Sequence, residues 1–316
     1  MKKAIMIILK ILLIAIISVI SLVLLGLIGL NIAKFFIYRD YYSSKTDVCT
    51  NPGLNDGFVC QGIAVSEENN VILVCGYMKD KSNSRIYVTD FDSNSYYVEL
   101  TREGEKYTGH AGGLAITGDT VYIANAKKIY SFPLKNVLDA SDGDTVDIGS
   151  GTKVNTNASF VYTDEEYLYV GEFHDGGKYV IEGHENETAE GIHYAICTKY
   201  SINDLSTPLA VYTLRNNAQG ICFTPDRKIV LSTSYGLTDT IYYVYNVDEL
   251  TDSGKTLDGA PVYYLDKLMK EIHGPAMGED LDYYDGKIIT LTESASDKYI
   301  FGKLFCATKI VSLKID

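Results

Sequence analysis

The sequence lacks the local signatures of the commonest enzyme classes. It has no GxSxG elbow, no P-loop, no GxGxxG opening a helix and no HExxH, so a serine hydrolase, a nucleotide-binding enzyme and a zinc protease are disfavoured. No CxxC or zinc-type spacing joins the six cysteines, Cys49, Cys60, Cys75, Cys197, Cys222 and Cys306, and spacing alone selects no disulfide pairing. Cys60, Cys75 and Cys222 fall inside apolar runs, where a small buried thiol is expected. Basic charge is scarce as well: 28 Lys and Arg stand against 41 Asp and Glu, a formal net charge of −13. A phosphate backbone needs a basic stripe, so the charge balance argues against nucleic acid as a partner. Long helical periodicity is nearly absent after the first tenth of the chain, which disfavours alternating strand and helix units.

What is present begins with an uncharged apolar run over residues 11–33, ILLIAIISVISLVLLGLIGLNIA. At about 1.5 Å per residue, a helix of this length crosses a hydrocarbon layer of about 30 Å. A signal peptide has a shorter apolar core and a small-x-small cleavage site. Neither occurs before Lys34, so an uncleaved signal anchor is expected, with a cleaved signal as the alternative. Lys2, Lys3 and Lys10 precede the run and Lys34, Arg39 and Lys45 follow it, so the flanking charges nearly balance. Long domains translocate largely regardless of charge, and the expected topology is N-inside. That reading gives a short cytoplasmic segment at residues 1–10, a span at 11–33, a juxtamembrane linker at 34–57 and one large domain outside the cytoplasm at 58–316.

Within that domain one theme recurs: an apolar strand, a tight polar turn, a second apolar strand, then a more polar strand pair. The copies open with QGIAVSEENNVILVCGY (61–77), GGLAITGDTVYIANA (112–126), ASFVYTDEEYLYVGEF (158–173), QGICFTPDRKIVLSTSYG (219–236) and EDLDYYDGKIITLTES (279–294). Their starts lie about 46–61 residues apart, the order of a propeller blade with loop insertions. Asp, Asn, Gly, Pro and Thr build the turns, and Tyr, Val, Ile, Thr and Phe dominate the strands. The expected fold is all-β, a β-propeller with five visible repeats and six blades possible, preceded by one transmembrane α-helix; a β-sandwich is the alternative. The runs LAVYTL, APVYYL and TKIVSLKI are expected as outer strands, and residues 265–272 as a short helix. The last copy shows three strands, so a segment near Thr46–Cys49 is expected to supply the fourth and close the ring.

Repeats such as AQGICFTPDRKIVLSTSYG and HAGGLAITGDTVYIAN resemble the broad NHL, gluconolactonase and strictosidine-synthase-like propeller superfamily, over roughly residues 58–316. Members usually have six blades, and some are calcium-dependent lactonases or esterases. The resemblance implies a site in the central channel.

In a propeller the innermost strands line that channel, so residues at their starts converge on one mouth. Aligning the repeats places Gln61, Gly112, Ala158, Gln219 and Glu279 at one register and Gly62, Gly113, Ser159, Gly220 and Asp280 at the next, with His110, Asn157 and Asn217 just upstream. Glycines at the second register are expected to let crowded backbones approach. Gln61, Asn157, Asn217 and Gln219 are candidate ligand-binding residues. Glu279, Asp280, Asn217 and Asn157 offer the oxygen donors that calcium prefers. His110 and His273 are candidate general bases on a bound ester or lactone. The second strands end in Cys75, Asn125, Glu172, Thr233 and Glu293, an expected outer shell. The insertion at 176–193, with His184 and His193 following His174, reads as a solvated flap. Two functions follow as expectations: a membrane-anchored binding module for a small molecule or an extracytoplasmic protein, or a calcium-dependent hydrolase.

Overall fold

The alternation of apolar and polar residues around tight turns folds into hairpins, and the hairpins assemble as five radial blades. The computed structural model describes residues 2–315. The inner strands are Phe58–Ser66, Gly113–Thr117, Phe160–Thr163, Ala218–Phe223 and Gly278–Tyr284, each antiparallel to the strand that follows it. Each inner strand touches the next, and the fifth touches the first, so the ring closes at five blades and no sandwich forms. Five departs from the six usual in the superfamily that the repeats resemble.

Closure uses the strand Lys45–Thr50, which runs antiparallel to Lys309–Leu313 with Lys45 opposite Leu313. It covers the edge that a three-stranded fifth blade would leave unpaired. Residues 34–57 are therefore not a free linker. They carry the end of helix α1 (Lys2–Ile37), helix α2 (Arg39–Ser44) and this closing strand. Helix α1 outruns the expected 11–33 because apolar residues continue on both sides, through residues 4–9 and 35–37. It is long and apolar enough to cross a membrane.

Two outer strands depart from expectation. Ala260–Tyr264 pairs in parallel with Asp204–Leu214 of the third blade, although it follows the third strand of the fourth. The second blade makes the same excursion, sending Thr145–Asp147 back to lie parallel to Ser95–Arg102 of the first. The free edge left in the fourth blade is taken by Leu268–Gly274, which overlaps the segment 265–272 whose spacing predicts a helix. A helix there would bury Leu268 and Met269 with Ile272; in the strand Ile272 is buried and the other two stay exposed. The unpaired edge of Thr240–Asn246 supplies a ladder that local spacing does not reveal.

All six cysteines are free, and Cys60, Cys75, Cys197 and Cys222 are fully buried in the blade cores. Burial pushes each of these four thiols well above the ordinary range, which leaves them inert.

Candidate functional site at the channel mouth

The site begins with three bulges. The ladder of the first inner strand skips at Gln61, that of the fourth at Gln219, and that of the fifth across Glu279 and Asp280. A bulge inserts an unpaired residue and re-aims its side chain. Gln61, Gln219 and Glu279 thereby reach the mouth, where they line one cavity of about 690 Å³ with His110, Asn157 and Glu293.

Glycines explain the crowding just below. A Cβ on Gly62 would lie 2.6 Å from Leu114 N, one on Gly113 2.5 Å from Phe160 Cα, and one on Gly220 2.7 Å from Asp280 Cα. These approaches align Gly62 and Gly113 with Phe160 and Asp280, so the third repeat is one residue out of the register expected from sequence. Ser159, not Ala158, matches Gln61.

Asp280 is fully buried beside the cavity residue Glu279. Its Oδ2 accepts from Leu114 N at 3.1 Å and from Ile63 N at 3.4 Å, and Asp282 Oδ2 accepts from Val65 N at 2.7 Å. The channel-facing edge of an inner strand has no sheet partner, and these carboxyls take its place. Burial raises both groups, Asp282 to about 7 and Asp280 well above the carboxylate range.

Within the cavity, Gln61 Nε2 donates to Glu293 Oε2 at 2.9 Å, and Gln61 Oε1 lies 3.3 Å from His110 Nδ1. The His110 ring stacks on Tyr77 with centroids 4.4 Å apart. Lys298 donates to the Tyr77 hydroxyl and lies 4.8 Å from the Tyr299 ring centroid. Burial pushes Glu293 up to about 7, although hydrogen bonds from Tyr299 and Gln61 and the charge of Lys298 pull it down. Burial, then the neighbouring Glu293 charge, raises Glu279 well above its ordinary value. Burial and the charge of Lys298 lower His110, which favours its neutral ring. Glu279 is buried and Glu293 half-buried, and each charge disfavours the other's, so the neutral form of the pair is favoured.

Neither cavity serine is paired with a base. Ser159 Oγ accepts from Phe173 N at 3.0 Å, and Ser234 Oγ lies 3.4 Å from Gln219 Nε2.

The structure separates some residues that the sequence groups. Asn217 and His273 line a second cavity of about 510 Å³ with Asp239 and Tyr243. There His273 Nδ1 lies 3.2 Å from Asp239 Oδ2 and Nε2 3.3 Å from Glu271 Oε1. Partial burial opposes its charge, but these two carboxylates outweigh burial and raise it. The four oxygen donors expected for calcium fit a shared ion poorly: Asp280 serves backbone amides, Asn217 lines the other cavity, and the Asn157 amide donates to Tyr179 O at 2.9 Å. Among the described residues, no group of three His, Cys, Asp or Glu side chains is placed to hold a metal.

The insertion is only in part the solvated flap expected: residues 176–183 are mostly exposed, whereas residues 184–193 are folded. Asn186–Thr188 and Gly191–His193 form a hairpin, and His174, His184 and His193 are buried. His184 Nδ1 lies 2.9 Å from Glu172 Oε2, while Glu172 Oε1 accepts from Asn157 N at 3.0 Å. That linkage ties the insertion to the mouth. Burial and the charge of Arg215 lower His193 to about 4.

Sequence reasoning missed the aromatic wall of Tyr77, Phe173, Tyr179, Tyr235 and Tyr299. A signal existed: the second strands run out through CGY, GEF and TSY, placing Tyr77, Phe173 and Tyr235 alike in three repeats. Lys298 and Tyr299 fall outside any repeat register.

No protein-family model matches the sequence, and a search of curated proteins finds no match. Solved structures with a similar outline include Myxococcus xanthus glutaminyl cyclase at 8% identity and TM-score 0.47, covering 85% of this chain and 95% of that one. The PQQ-bound aldose sugar dehydrogenase of Streptomyces coelicolor is 14% identical at TM-score 0.43, over 78% of this chain and 76% of that one. BamB from Moraxella catarrhalis is 9% identical at TM-score 0.34, over 82% and 83% of the two chains. At such values no site residue carries over, and the β-propeller is read from the ring of strand contacts itself.

Proposed function

We propose that this chain is a membrane-anchored, extracytoplasmic β-propeller that recognises a small hydroxyl-rich molecule, of the carbohydrate class, at its channel mouth. The observation that carries the reading is the buried acid pair Glu279 and Glu293, set in a cavity walled by amides and aromatic rings. With one of the two carboxyls protonated, the pair both donates and accepts, as do the amides of Gln61, Asn125, Asn157 and Gln219, which suits hydroxyl groups. Aromatic faces suit the C–H face of a sugar ring. A volume of about 690 Å³ lies in the range of small-ligand pockets, which favours a small molecule over a protein partner. Ser159 and Ser234, neither bonded to a base, argue against serine-based hydrolysis at this site.

A second reading, hydrolysis, is favoured by one observation: Glu293 at about 7 is suited to act as a general acid. The two separate in one experiment. Full-length protein in detergent micelles is screened by thermal shift against mono- and oligosaccharides, and each hit is then incubated and checked for products. Binding predicts a raised midpoint that Glu279→Gln or Tyr299→Ala removes, with the ligand recovered intact. Cleaved ligand would support the hydrolytic reading, and a panel without any shift would end the carbohydrate proposal.

A further inference from the structure

The mouth face carries a second feature besides its cavity. In every blade the connection from second to third strand lies at the mouth, because the inner strand starts there and its neighbour returns there. Three of these connections, residues 172–194, 234–239 and 293–308, expose large apolar side chains. Val180 is 59% exposed, Leu237 52%, Ile300 80% and Phe301 69%. These residues are close in sequence to Tyr179, Tyr235 and Tyr299, which line the cavity, so the apolar side chains flank its opening on the side of the third, fourth and fifth blades.

Helix α1 ends on the same connections. Lys34 Nζ donates to Phe305 O at 3.2 Å, and the Tyr38 hydroxyl donates to Asp239 Oδ1 at 2.8 Å. Tyr41 is buried against Tyr242 and would meet any side chain placed at Gly274. The rest of the helix leaves the domain, since every residue from Lys3 to Gly26 is exposed. The point where the apolar helix meets the domain is thus level with the 293–308 connection. Its sequence DKYIFGKLF, over 297–305, interleaves Lys298 and Lys303 with Tyr299, Ile300, Phe301, Leu304 and Phe305. Aromatic and aliphatic side chains flanked by lysines are the composition that settles at a membrane–water boundary. Isolated apolar residues are ordinary on a surface, but a cluster of them on three adjacent blades beside one opening and next to the apolar helix marks a contact.

We propose that the mouth face lies against the bilayer that holds helix α1, with Ile300 and Phe301 immersed among the lipid headgroups and the cavity opening onto that surface. The ligand is then membrane-borne: a hydroxyl-rich lipid headgroup reaches Glu279 and Glu293 from the membrane side. The inference rests on the reading of α1 as a membrane anchor and deepens the proposed carbohydrate specificity to a lipid-linked one.

The test uses full-length protein in phosphatidylcholine vesicles, in a Cys306→Ser background that removes the exposed thiol. Single cysteines at Ile300, Leu237, Leu22 and Asp226 are labelled with an environment-sensitive fluorophore. Asp226 lies in a turn at the opposite end of the fourth blade and serves as the aqueous reference. Spin-labelled lipid is expected to quench the probes at Ile300, Leu237 and Leu22 at least several-fold more than the probe at Asp226. Quenching at Leu22 with Ile300 as unquenched as Asp226 would overturn the proposal while sparing the anchor. Absence of quenching at Leu22 would remove the anchor and this inference with it. Hydrogen exchange on the unlabelled wild type provides a second readout: residues 298–305 are expected to exchange more slowly in vesicles than in a variant carrying Ile300→Asp and Phe301→Asp. Equal rates in the two would count against the contact.

Discussion

The Asp280 carboxyl accepts a hydrogen bond from the Leu114 backbone amide at 3.1 Å, joining the fifth blade to the second across the channel. The same oxygen takes the Ile63 amide of the first blade, so one side chain satisfies two strand edges that no sheet partner reaches.

Removing that acceptor has a defined cost. Asp280→Ala leaves two buried amides unpaired, at about 1–3 kcal/mol each, whereas Asp280→Asn keeps an oxygen in place and is expected to lose less than half as much. Chemical unfolding of the two variants beside wild type measures the difference. Equal losses would show that the channel bonds are not what Asp280 contributes.

The pH dependence of stability follows from Asp282. It titrates at about 7 when folded, through burial, and at about 4 when unfolded. Between those values the folded chain holds a proton that the unfolded chain has released. The stability contributed by the neutral acid is therefore full below pH 4 and lost as pH rises through 7, by at most about 1.4 kcal/mol per pH unit. His193, lowered to about 4, acts oppositely, adding stability as pH rises from 4 to 6.5. The wild-type curve is thus composite. Asp282→Asn is expected to gain on wild type from pH 4 to 7 and to level off above that, and a constant offset between the two melting curves would refute the assignment.

Close packing at the axis makes a single methyl costly. In Gly113→Ala the new Cβ would sit 2.5 Å from Phe160 Cα and Val161 N, backbone atoms that cannot swing aside. A loss of about 1–3 kcal/mol is expected. Gly177→Ala, with no atom within 4 Å, should be neutral and serves as its control in the same denaturation series.

Glu172 is expected to couple the insertion to the cavity. It accepts from Asn157 N and lies against His184, so Glu172→Ala removes both ties and frees the segment that carries Tyr179. Limited proteolysis should then cut within residues 176–183 at least several-fold faster than in wild type, and ligand affinity should fall with it. Unchanged cleavage would mean that the hairpin at 186–193 holds the segment by itself.

Much of the site was legible because repeats convert sequence register into position. Gln61, His110, Asn157, Gln219 and Glu279 come from distant parts of the chain and line one cavity, as equivalent strand starts should. Asn217 and His273 do not join them. Asn217 adopts a left-handed backbone one residue before the fourth inner strand, with φ of 63°, and His273 lies near the end of an outer strand that overlaps the segment 265–272, which spacing alone reads as helix. Glu293 stood out only as the end of a second strand. Its place beside Gln61 depends on how residues 294–308 fold over the mouth, which no local pattern encodes.

By itself the sequence determined the apolar helix and the five hairpins, since both follow from local periodicity: an uninterrupted apolar run in the first case, alternation about turn residues in the second. Only the tertiary structure decided which edge Ala260–Tyr264 and Leu268–Gly274 would complete, which residues the bulges would turn toward the mouth, and which face would meet the apolar helix. Those outcomes depend on unpaired strand edges and crowded inner backbones brought together from far along the chain, and a side chain's role there is set by neighbours it acquires only when the ring closes.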